Sequence, residues 1–372
     1  MKIVIVGGAG FIGKKLTSDL VSRGYEVLII DNYSRQIHGD QFAFNLPEDV
    51  KLARVDILDM PAYAELLEGA DAIFHLVAET GTGQSMYQIS RYTAVNCLGT
   101  AALLEAISKT KVKPKRLILS SSRSVYGEGA YAGLNDPNKI IYPQTRSHAS
   151  LSRGEWELKD SNAGEITPIP TPESSPFSPV SLYAATKASQ ELLLMSAAQA
   201  LGFELLIFRF QNVYGEGQSL QNPYTGIISI FLNRARQGLP ISIFEDGQES
   251  RDFIHVSDVV HALVNSVDAP LPPLTIMNLG SGIRTAVIDL ARTLLTSSGL
   301  KVDINITGQF RVGDIRHCFA DLTLAKQYLG FKPKVSLSDG LSRFSSWALN
   351  MPAYQDHSEK AMSELRANNL AK

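Results

Sequence analysis

With 372 residues, the chain is long enough to bury a large core, as one large domain or two closely joined ones. Its charges nearly cancel, because 35 Lys and Arg residues face 37 Asp and Glu residues and leave a net charge of -2. This balance excludes the broad basic surface that binds nucleic acid or an anionic membrane, and no apolar run has the length of a membrane span. The two cysteines, Cys97 and Cys318, predict no disulfide framework and fit a reducing, cytoplasmic compartment.

The chain begins with a strand, a glycine-rich turn and a helix. Residues 3–6 form the short apolar run of a strand buried on both faces of a parallel sheet. Gly7, Gly10 and Gly13 follow, and an amphipathic helix is predicted from Phe11 to Ser22. Glycines at this spacing allow a tight turn, close approach of a pyrophosphate to the backbone and close packing of helix on strand. The segment therefore predicts a dinucleotide site at a helix N-terminus.

An acidic residue indicates which dinucleotide is bound. A second predicted strand, residues 26–30, ends in Asp31, where a carboxylate accepts hydrogen bonds from the adenosine ribose hydroxyls. This position favours NAD over NADP. NADP stays an alternative, because Lys14, Lys15 and Arg35 lie close enough in sequence to contact a 2′-phosphate.

Strands and helices continue to alternate along the first half of the chain. Strands are predicted at residues 50–54, 72–77 and 116–119, and helices at residues 60–67 and 87–109. Repeated units of this kind specify a doubly wound parallel sheet with right-handed crossovers, in which ligands bind beyond the carboxyl ends of the strands. A serine cluster at residues 120–124 follows one such end, and places Ser122 in the same crevice.

A tyrosine and a lysine four residues apart form the candidate catalytic pair. Tyr183 and Lys187 share one face of a predicted helix. A fixed ammonium group and a cationic nicotinamide ring close to Tyr183 would lower its pKa toward the working range of an acid or base. Taken alone the spacing is also typical of a half-buried aromatic residue beside a solvated lysine, and the serines alone would indicate turn chemistry.

Four motifs in order resemble the extended short-chain dehydrogenases/reductases of the nucleotide-sugar epimerase/dehydratase group. They are the glycine turn, residues 120–127 (SSSRSVYG), Tyr183 with Lys187, and residues 209–215 (RFQNVYG). The resemblance covers roughly residues 1–350. It implies a Rossmann-fold NAD domain at 1–212, a smaller α/β nucleotide-sugar domain at 213–350, and a homodimer built on the helices that hold residues 87–109 and 183–201.

The resemblance also implies roles for individual residues. The catalytic residues would be Ser122, which polarises the sugar 4-oxygen, Tyr183 as the base, and Lys187 as its activator. NAD would be held by Gly7, Gly10, Phe11, Ile12, Gly13, Asp31, Asn32, Asp56, Ile57, Leu76, Ala78, Asn96, Ser120, Tyr183 and Lys187. The nucleoside diphosphate sugar would be bound by Gln84, Ser85, Ser122, Asn212, Ser242, Phe244, Arg251 and Arg311, with the two arginines as the diphosphate clamp. No metal ligand is implied. For the arginines, surface salt bridges are the alternative.

The residues after Ser122 bear on the reaction. In 4,6-dehydratases of this group an Asp-Glu pair follows the catalytic hydroxyl residue and eliminates water, whereas this chain has Arg123 and Ser124. The resemblance therefore favours a 4-epimerase that forms a transient 4-keto sugar. Residues 84–87, 211–220 and 222–231 resemble the dTDP-L-rhamnose 4-epimerase-like branch, although residues 157–164 lack the Cys-x-x-Cys pair that relatives there often carry.

Two segments stand apart from the alternating pattern. Residues 128–176 form an insertion rich in Gly, Pro, Ser and Asn, expected to act as a lid or a dimer contact. Residues 351–372 are polar and weakly helical, and are expected to be an appended surface segment.

Other functions remain open from the sequence. A 4-ketoreductase would take up and release NAD(P)H in each cycle, and a 4,6-dehydratase would need a different acid and base. A sensor of NAD(P) built on the same fold is the alternative outside the enzymes, although such proteins typically lose the tyrosine or the lysine.

Overall fold

A computed structural model describes residues 1–39, 46–134, 136–160, 164–222, 224, 226–311, 313–352, 354, 358–368 and 370–371. The strands of these residues are β1 (Lys2–Val6), β2 (Glu26–Asp31), β3 (Lys51–Arg54), β4 (Ala72–His75), β5 (Arg116–Ser122), β6 (Tyr131–Gly133), β7 (Asp136–Ile141), β8 (Lys159–Asp160), β9 (Gly164–Pro168), β10 (Glu204–Phe210), β11 (Asn212–Tyr214), β12 (Ile241–Ile243), β13 (Ser250–Arg251), β14 (Phe253–His255), β15 (Leu274–Leu279), β16 (Thr285–Ala286), β17 (Ile304–Ile306) and β18 (His317–Cys318).

The α-helices are α1 (Phe11–Ser22), α2 (Arg35–His38), α3 (Met60–Tyr63), α4 (Thr82–Ser85), α5 (Ile89–Tyr92), α6 (Gly99–Lys109), α7 (His148–Ser152), α8 (Leu182–Leu201), α9 (Ile227–Arg236), α10 (Val256–Asn265), α11 (Val287–Ser298), α12 (Thr323–Leu329), α13 (Leu337–Leu349) and α14 (Ser358–Ala367). Short 3₁₀ turns cover Ala64–Leu67 and Arg123–Tyr126. Within the described ranges, no helix combines the length and apolar character needed to cross a bilayer.

Seven parallel strands form the central sheet. Their order is β15-β10-β5-β4-β1-β2-β3, and every neighbouring pair is parallel. The order reverses between β1 and β4, where a crevice opens beyond the carboxyl ends of the strands. The predicted doubly wound sheet is confirmed.

Helices cover both faces of this sheet. On one face, Ile3 and Ile5 pack with Leu16 and Leu20 of α1 and with the apolar side of α10. On the other face, Val4 and Val6 pack with apolar residues of α6 and α8. Successive side chains of β1 therefore point to opposite faces of the sheet, and both faces are buried. This burial explains why the sequences of these strands are unbroken apolar runs.

The predicted helix over residues 87–109 is wrong in one respect. It is interrupted by a π-helical turn at Thr93–Leu98, between α5 and α6. Asn96 lies in this turn and its side chain binds the backbone of Glu79, beside the crevice. Single π turns inside helices occur often at functional sites, and apolar periodicity does not reveal them.

The second domain has its own core, centred on α9, α11, α13 and the β12/β17 pair. The predicted boundary at residue 212 needs a correction, because the chain returns to the first domain. β15 is hydrogen-bonded to β10 at the sheet edge, and α10 packs against α1. The range 213–350 therefore contributes a strand and a covering helix to the first domain.

The insertion at 128–176 folds rather than forming an irregular loop. β6 to β9 make a small antiparallel sheet in the order β7-β6-β9-β8, over a cluster of four buried apolar residues. Arg146 of the insertion donates to Glu245 Oε2 at 2.7 Å, and Glu157 accepts from Arg316 at 2.5 Å. These buried or half-buried ion pairs tie the insertion to the second domain. Residue 135 and residues 161–163 lie outside the described residues, and residues 161–163 belong to the segment 157–164 that was compared for the missing cysteines.

Candidate functional site

The glycine turn opens onto the crevice as predicted. Gly7 has φ +88°, and a Cβ atom added there would lie 2.8 Å from the backbone nitrogen of Val77. Gly10 begins α1 without any side-chain cap, so the first backbone N–H groups of the helix remain available to a ligand. The turn lines a cavity of about 950 Å³, and its geometry fits the pyrophosphate of a dinucleotide.

Asp31 lies at the end of β2 in the wall of the same cavity. Its carboxylate accepts from the backbone nitrogen of Ala9 at 3.0 Å and from that of Tyr33 at 2.8 Å. The carboxylate thus fixes the glycine turn to the neighbouring strand. Lys14 also lines the cavity, and burial lowers the pKa of its ammonium group while Asp31 opposes that shift.

Most residues assigned to the cofactor line this one cavity. The lining includes Gly7, Gly10, Phe11, Ile12, Gly13, Asp31, Asn32, Asp56, Ile57, Leu76, Ala78, Ser120, Tyr183 and Lys187. Asn96 is a correction, since it does not belong to the lining. Its side-chain amide is hydrogen-bonded to the backbone of Glu79, and its nitrogen donates to Thr186 Oγ1 at 2.9 Å. Asn96 therefore holds Glu79, a residue of the cavity lining, in position.

Substitution of Gly13, the third glycine of the turn, should weaken the binding of NAD. A Cβ atom at Gly13 would lie 2.5 Å from the carbonyl oxygen of Gly8. We expect Gly13→Ala to cost about 2 kcal/mol of stability and to lower the NAD content of the purified protein. Ser18→Ala, at an exposed site on the same helix, is the control. Wild-type NAD content in Gly13→Ala, measured by absorbance after denaturation, would contradict this role.

Ser122 and Tyr183 meet in the crevice although they are far apart in sequence. Ser122 ends β5, and Tyr183 lies in the first turn of α8. The start of α8 is fixed by Ser181, whose hydroxyl accepts from the backbone nitrogen of Ala184 at 3.1 Å. A side-chain hydrogen bond joins Ser122 to the phenol of Tyr183.

The electrostatics of Tyr183 differ from the sequence expectation. Burial raises its pKa, while the hydrogen bond to Ser122 and the positive charge of Arg123 act in the opposite direction. Lys187 was expected to lower this pKa, but in the chain alone burial is the larger effect. Arg123, the residue after Ser122, carries a positive charge that favours the phenolate form of Tyr183.

Lys187 lies in a buried polar network behind the tyrosine. Its ammonium group donates to the carbonyl oxygen of Ser120 and to Gln190 Oε1, both at 2.5 Å. The Gln190 amide nitrogen lies 3.1 Å from His75 Nε2 and 2.9 Å from Thr100 Oγ1. Burial lowers the pKa of Lys187 to about 7, so this group titrates near neutral pH.

A second cavity, of about 640 Å³, adjoins the first. Its lining contains the residues assigned to the substrate at Gln84, Asn212, Ser242, Phe244, Arg251 and Arg311. Ser85 is a correction, because it lines neither cavity. Its buried hydroxyl donates to the carbonyl oxygen of Thr82 at 2.6 Å and so serves the turn of α4.

The two arginines predicted to bind the diphosphate both line the second cavity, but they make different contacts. Arg311 donates to Asp314 Oδ2 at 2.7 Å, and its guanidinium group lies 5.1 Å from the ring centre of Phe244. Arg251 donates to the carbonyl oxygens of Ile315 and Arg316 at 2.7 and 3.0 Å. Burial, together with the charge of Arg123, lowers the pKa of Arg251 to about 10, so the group stays charged at neutral pH.

Sequence reasoning missed several residues of these cavities. Arg123, noted before only as a departure from the dehydratases, lines both cavities and donates to Asn212 Oδ1 at 2.9 Å. A charged residue directly after Ser122 was the available signal. Glu249 lines the second cavity; burial raises its pKa to about 7, and its Oε2 has no hydrogen-bond partner within the described residues. Nothing in the local sequence marks Glu249.

Comparison with known proteins is consistent with this geometry. Residues 3–150 and 160–280 match the model of the NAD dependent epimerase/dehydratase family. A dTDP-L-rhamnose 4-epimerase of Burkholderia thailandensis is 38% identical over 354 residues, which cover 93% of this chain and 94% of the relative.

Solved structures are similar over most of the chain. A UDP-glucose 4-epimerase of Thermotoga maritima with UDP-glucose has a TM-score of 0.76 and 28% identity, and covers 94% of this chain and 99% of its own. A UDP-glucuronic acid 4-epimerase of Bacillus cereus, in complex with UDP-glucuronic acid and NAD, has a TM-score of 0.75 and 25% identity over 93% and 98% of the two chains. The Rossmann fold and NAD as cofactor are confirmed, and the chain belongs to the NAD-dependent epimerase/dehydratase family.

Proposed function

We propose that the protein is an NAD-dependent nucleotide-sugar 4-epimerase that acts through a transient 4-keto sugar. The observation that carries the proposal is the position of the Ser122–Tyr183 pair. The pair lines the first cavity, and Arg123, which follows Ser122, also lines the second cavity, where Arg251 and Arg311 lie. A sugar whose diphosphate lies against the arginines would present its ring to this pair.

The residues of the chain then have separable tasks. Tyr183 takes the proton from the sugar 4-hydroxyl and later returns it, and Ser122 holds the 4-oxygen by a hydrogen bond. Arg123 places a positive charge where the phenolate of Tyr183 forms. NAD, held by the residues of the first cavity, supplies when bound the reversible acceptance of hydride that epimerisation requires. Arg251 and Arg311 neutralise the diphosphate.

For the substrate we propose a dTDP- or UDP-hexose, such as dTDP-L-rhamnose. The relative from Burkholderia thailandensis carries that sugar in its name, and the structural relatives bear UDP-sugars. Dehydration is disfavoured, because Arg123 and Ser124 line both cavities where an acid and a base would be required. Neither side chain is a carboxylic acid.

The decisive experiment uses the protein as purified, without added nucleotide. Retained NAD is quantified, and dTDP- and UDP-hexoses are incubated one at a time and analysed for the 4-epimer. We expect conversion of at least one sugar with no net change in NAD. Activity that depends strictly on added NADPH would replace the epimerase with a 4-ketoreductase, and a failure to turn over any nucleotide sugar would favour a non-catalytic NAD(P) sensor.

We also propose that the protein forms a homodimer through the outer face of the helices at residues 89–109 and α8. Large apolar side chains are exposed there, with 49% of Ile89, 59% of Leu98 and 51% of Leu192 accessible. The two segments pack against each other, so these side chains belong to one side of the first domain. A second copy of the chain would cover them. The cytoplasmic location stays a prediction.

Replacing Leu192 by aspartate should separate the proposed dimer. A charge at the centre of an apolar interface is costly to desolvate, and we expect the apparent mass in sedimentation to fall from two chains to one. Leu274→Asp, at an exposed leucine on the far edge strand of the sheet, is the control. A wild-type protein that sediments as a single chain would exclude the dimer.

A further inference from the structure

We propose that the C-terminal helix α14 forms a wall of the nucleotide-sugar cavity and supplies side chains that contact the substrate. This inference rests on the proposed function and deepens it. The segment at 351–372 was expected to be an appended surface segment, and the structure corrects that expectation. Met362, Leu365 and Arg366 of α14 line the second cavity together with Phe244 and Arg311.

Leu365 is the apolar contact of this wall. It is only 7% exposed, although it lies near the end of the chain. Its side chain packs on Gly83 of α4, where an added Cβ atom would lie 3.1 Å from Leu365 Cδ2. The next residue along α4, Gln84, lines the same cavity. Leu365 therefore closes the space between α4 and the arginines.

Glu364 holds the helix in place. Its Oε2 accepts from the hydroxyl of Tyr87 at 2.7 Å and from the hydroxyl of Tyr224 at 2.8 Å. Tyr87 follows α4, and Tyr224 lies in the segment before α9, so one carboxylate joins three parts of the chain. We call Tyr87, Tyr224 and Glu364 the tyrosine clasp. Both tyrosine hydroxyls donate, and the pKa of the Glu364 carboxyl is accordingly lowered.

Arg366 adds positive charge at the rim. Its Nη2 donates to Gln309 Oε1 at 3.3 Å, and Gln309 also lines the cavity. Ala371 forms an antiparallel bridge with Arg311, so the chain beyond α14 contacts the clamp itself. Arg251, Arg311 and Arg366 together suit the two negative charges of the diphosphate in a nucleoside diphosphate sugar.

The docked position of α14 depends on these contacts. The helix spans ten residues, and isolated helices of that length are marginal in water. It is held by one buried leucine, the tyrosine clasp and the contacts of Arg366 and Ala371. A substrate bound under the helix would contact Met362, Leu365 and Arg366, so each would contribute to substrate affinity. None of these three lines the dinucleotide cavity, so NAD retention should be independent of them.

The test removes the helix or its contacts and measures nucleotide binding. A chain ending at Tyr354 keeps α13 and the bond from Arg236 to Pro352 but lacks α14. Kd values for UDP and dTDP are measured by titration calorimetry, and bound NAD is measured in parallel. We expect the truncation to weaken binding of the preferred nucleotide about tenfold or more, and Leu365→Ala and Glu364→Gln to weaken it about threefold to tenfold. NAD content and kcat should stay near wild type while KM rises.

Ser363→Ala is the matched control, because Ser363 is exposed on the same helix and its hydroxyl donates to the carbonyl oxygen of Lys360 in that helix. Wild-type Kd and KM in the truncated chain would overturn the proposed wall and leave the epimerase proposal intact. If the truncated chain does not fold, wild-type Kd and KM in both point variants would have the same consequence. A full-length protein that binds neither UDP nor dTDP would overturn both. A parallel loss of NAD would assign α14 to general stability and also reject the proposal.

Discussion

Tyr183→Phe is expected to lower kcat about 10³-fold, because it removes the only atom of this side chain that can move the sugar proton. The ring stays, so the packing of α8 against β5 should be preserved. Binding of the nucleotide sugar should change less than about threefold, since the arginines proposed to bind the diphosphate line the second cavity and Tyr183 does not. Initial rates of 4-epimer formation and a calorimetric Kd measure the two effects separately.

Tyr142→Phe is the control for this substitution, because Tyr142 is an exposed tyrosine of the insertion. It should leave both the rate and the affinity unchanged. A Tyr183→Phe protein that retains a rate within tenfold of the wild type would remove Tyr183 from the mechanism. A Tyr183→Phe protein that loses affinity and rate together would indicate a structural role.

Lys187→Met is expected to stabilise the NAD-free protein while reducing activity about 10²-fold or more. Burial moves the pKa of Lys187 from 10.5 to about 7, which corresponds to about 5 kcal/mol against the charged form. Methionine removes this penalty but leaves Ser120 O and Gln190 without their donor, which returns part of the gain. We expect a net stabilisation of about 2 kcal/mol at pH 7, measured by denaturant unfolding.

The stabilisation should depend on pH in a defined direction. Between pH 7 and 10.5 the unfolded chain binds a proton at Lys187 that the folded chain has released, so the stability of the wild type rises with pH across this window. The advantage of the methionine variant is therefore largest at or below pH 7 and disappears above 10.5. Lys139→Met, at an exposed lysine of β7, should show no such trend. A constant advantage across the window would contradict the assigned burial of the ammonium group.

The fold of the first domain could be predicted from the sequence because the patterns that indicate it are short. The apolar runs of β1, β2 and β4 and the spacing of the glycines at 7, 10 and 13 are each contained in a few consecutive residues. Predicted bounds of α1 agree with the structure. The π turn at Thr93–Leu98 was not predicted, because it accompanies contacts of Asn96 with residues elsewhere in the chain.

The second cavity shows where local patterns end. Asn212, Ser242, Phe244, Arg251 and Arg311 came from a resemblance, and the structure brings them to one cavity. Arg123 and Glu249 line it too, but each is close to a side chain from a distant segment, Asn212 for Arg123 and Arg316 for Glu249. Their electrostatic effects depend on burial, which no spacing rule predicts.

The sequence by itself determined the doubly wound sheet, the dinucleotide turn and the order of the catalytic motifs, because period and turn chemistry are properties of short stretches. Only the tertiary structure decided that β15 returns to the sheet, that the insertion is fastened to the second domain by Arg146 and Glu157, and that α14 covers the second cavity. Each of these depends on contacts between distant segments. Such contacts depend on which surfaces remain to be buried once the local elements have formed, and that is a property of the whole chain.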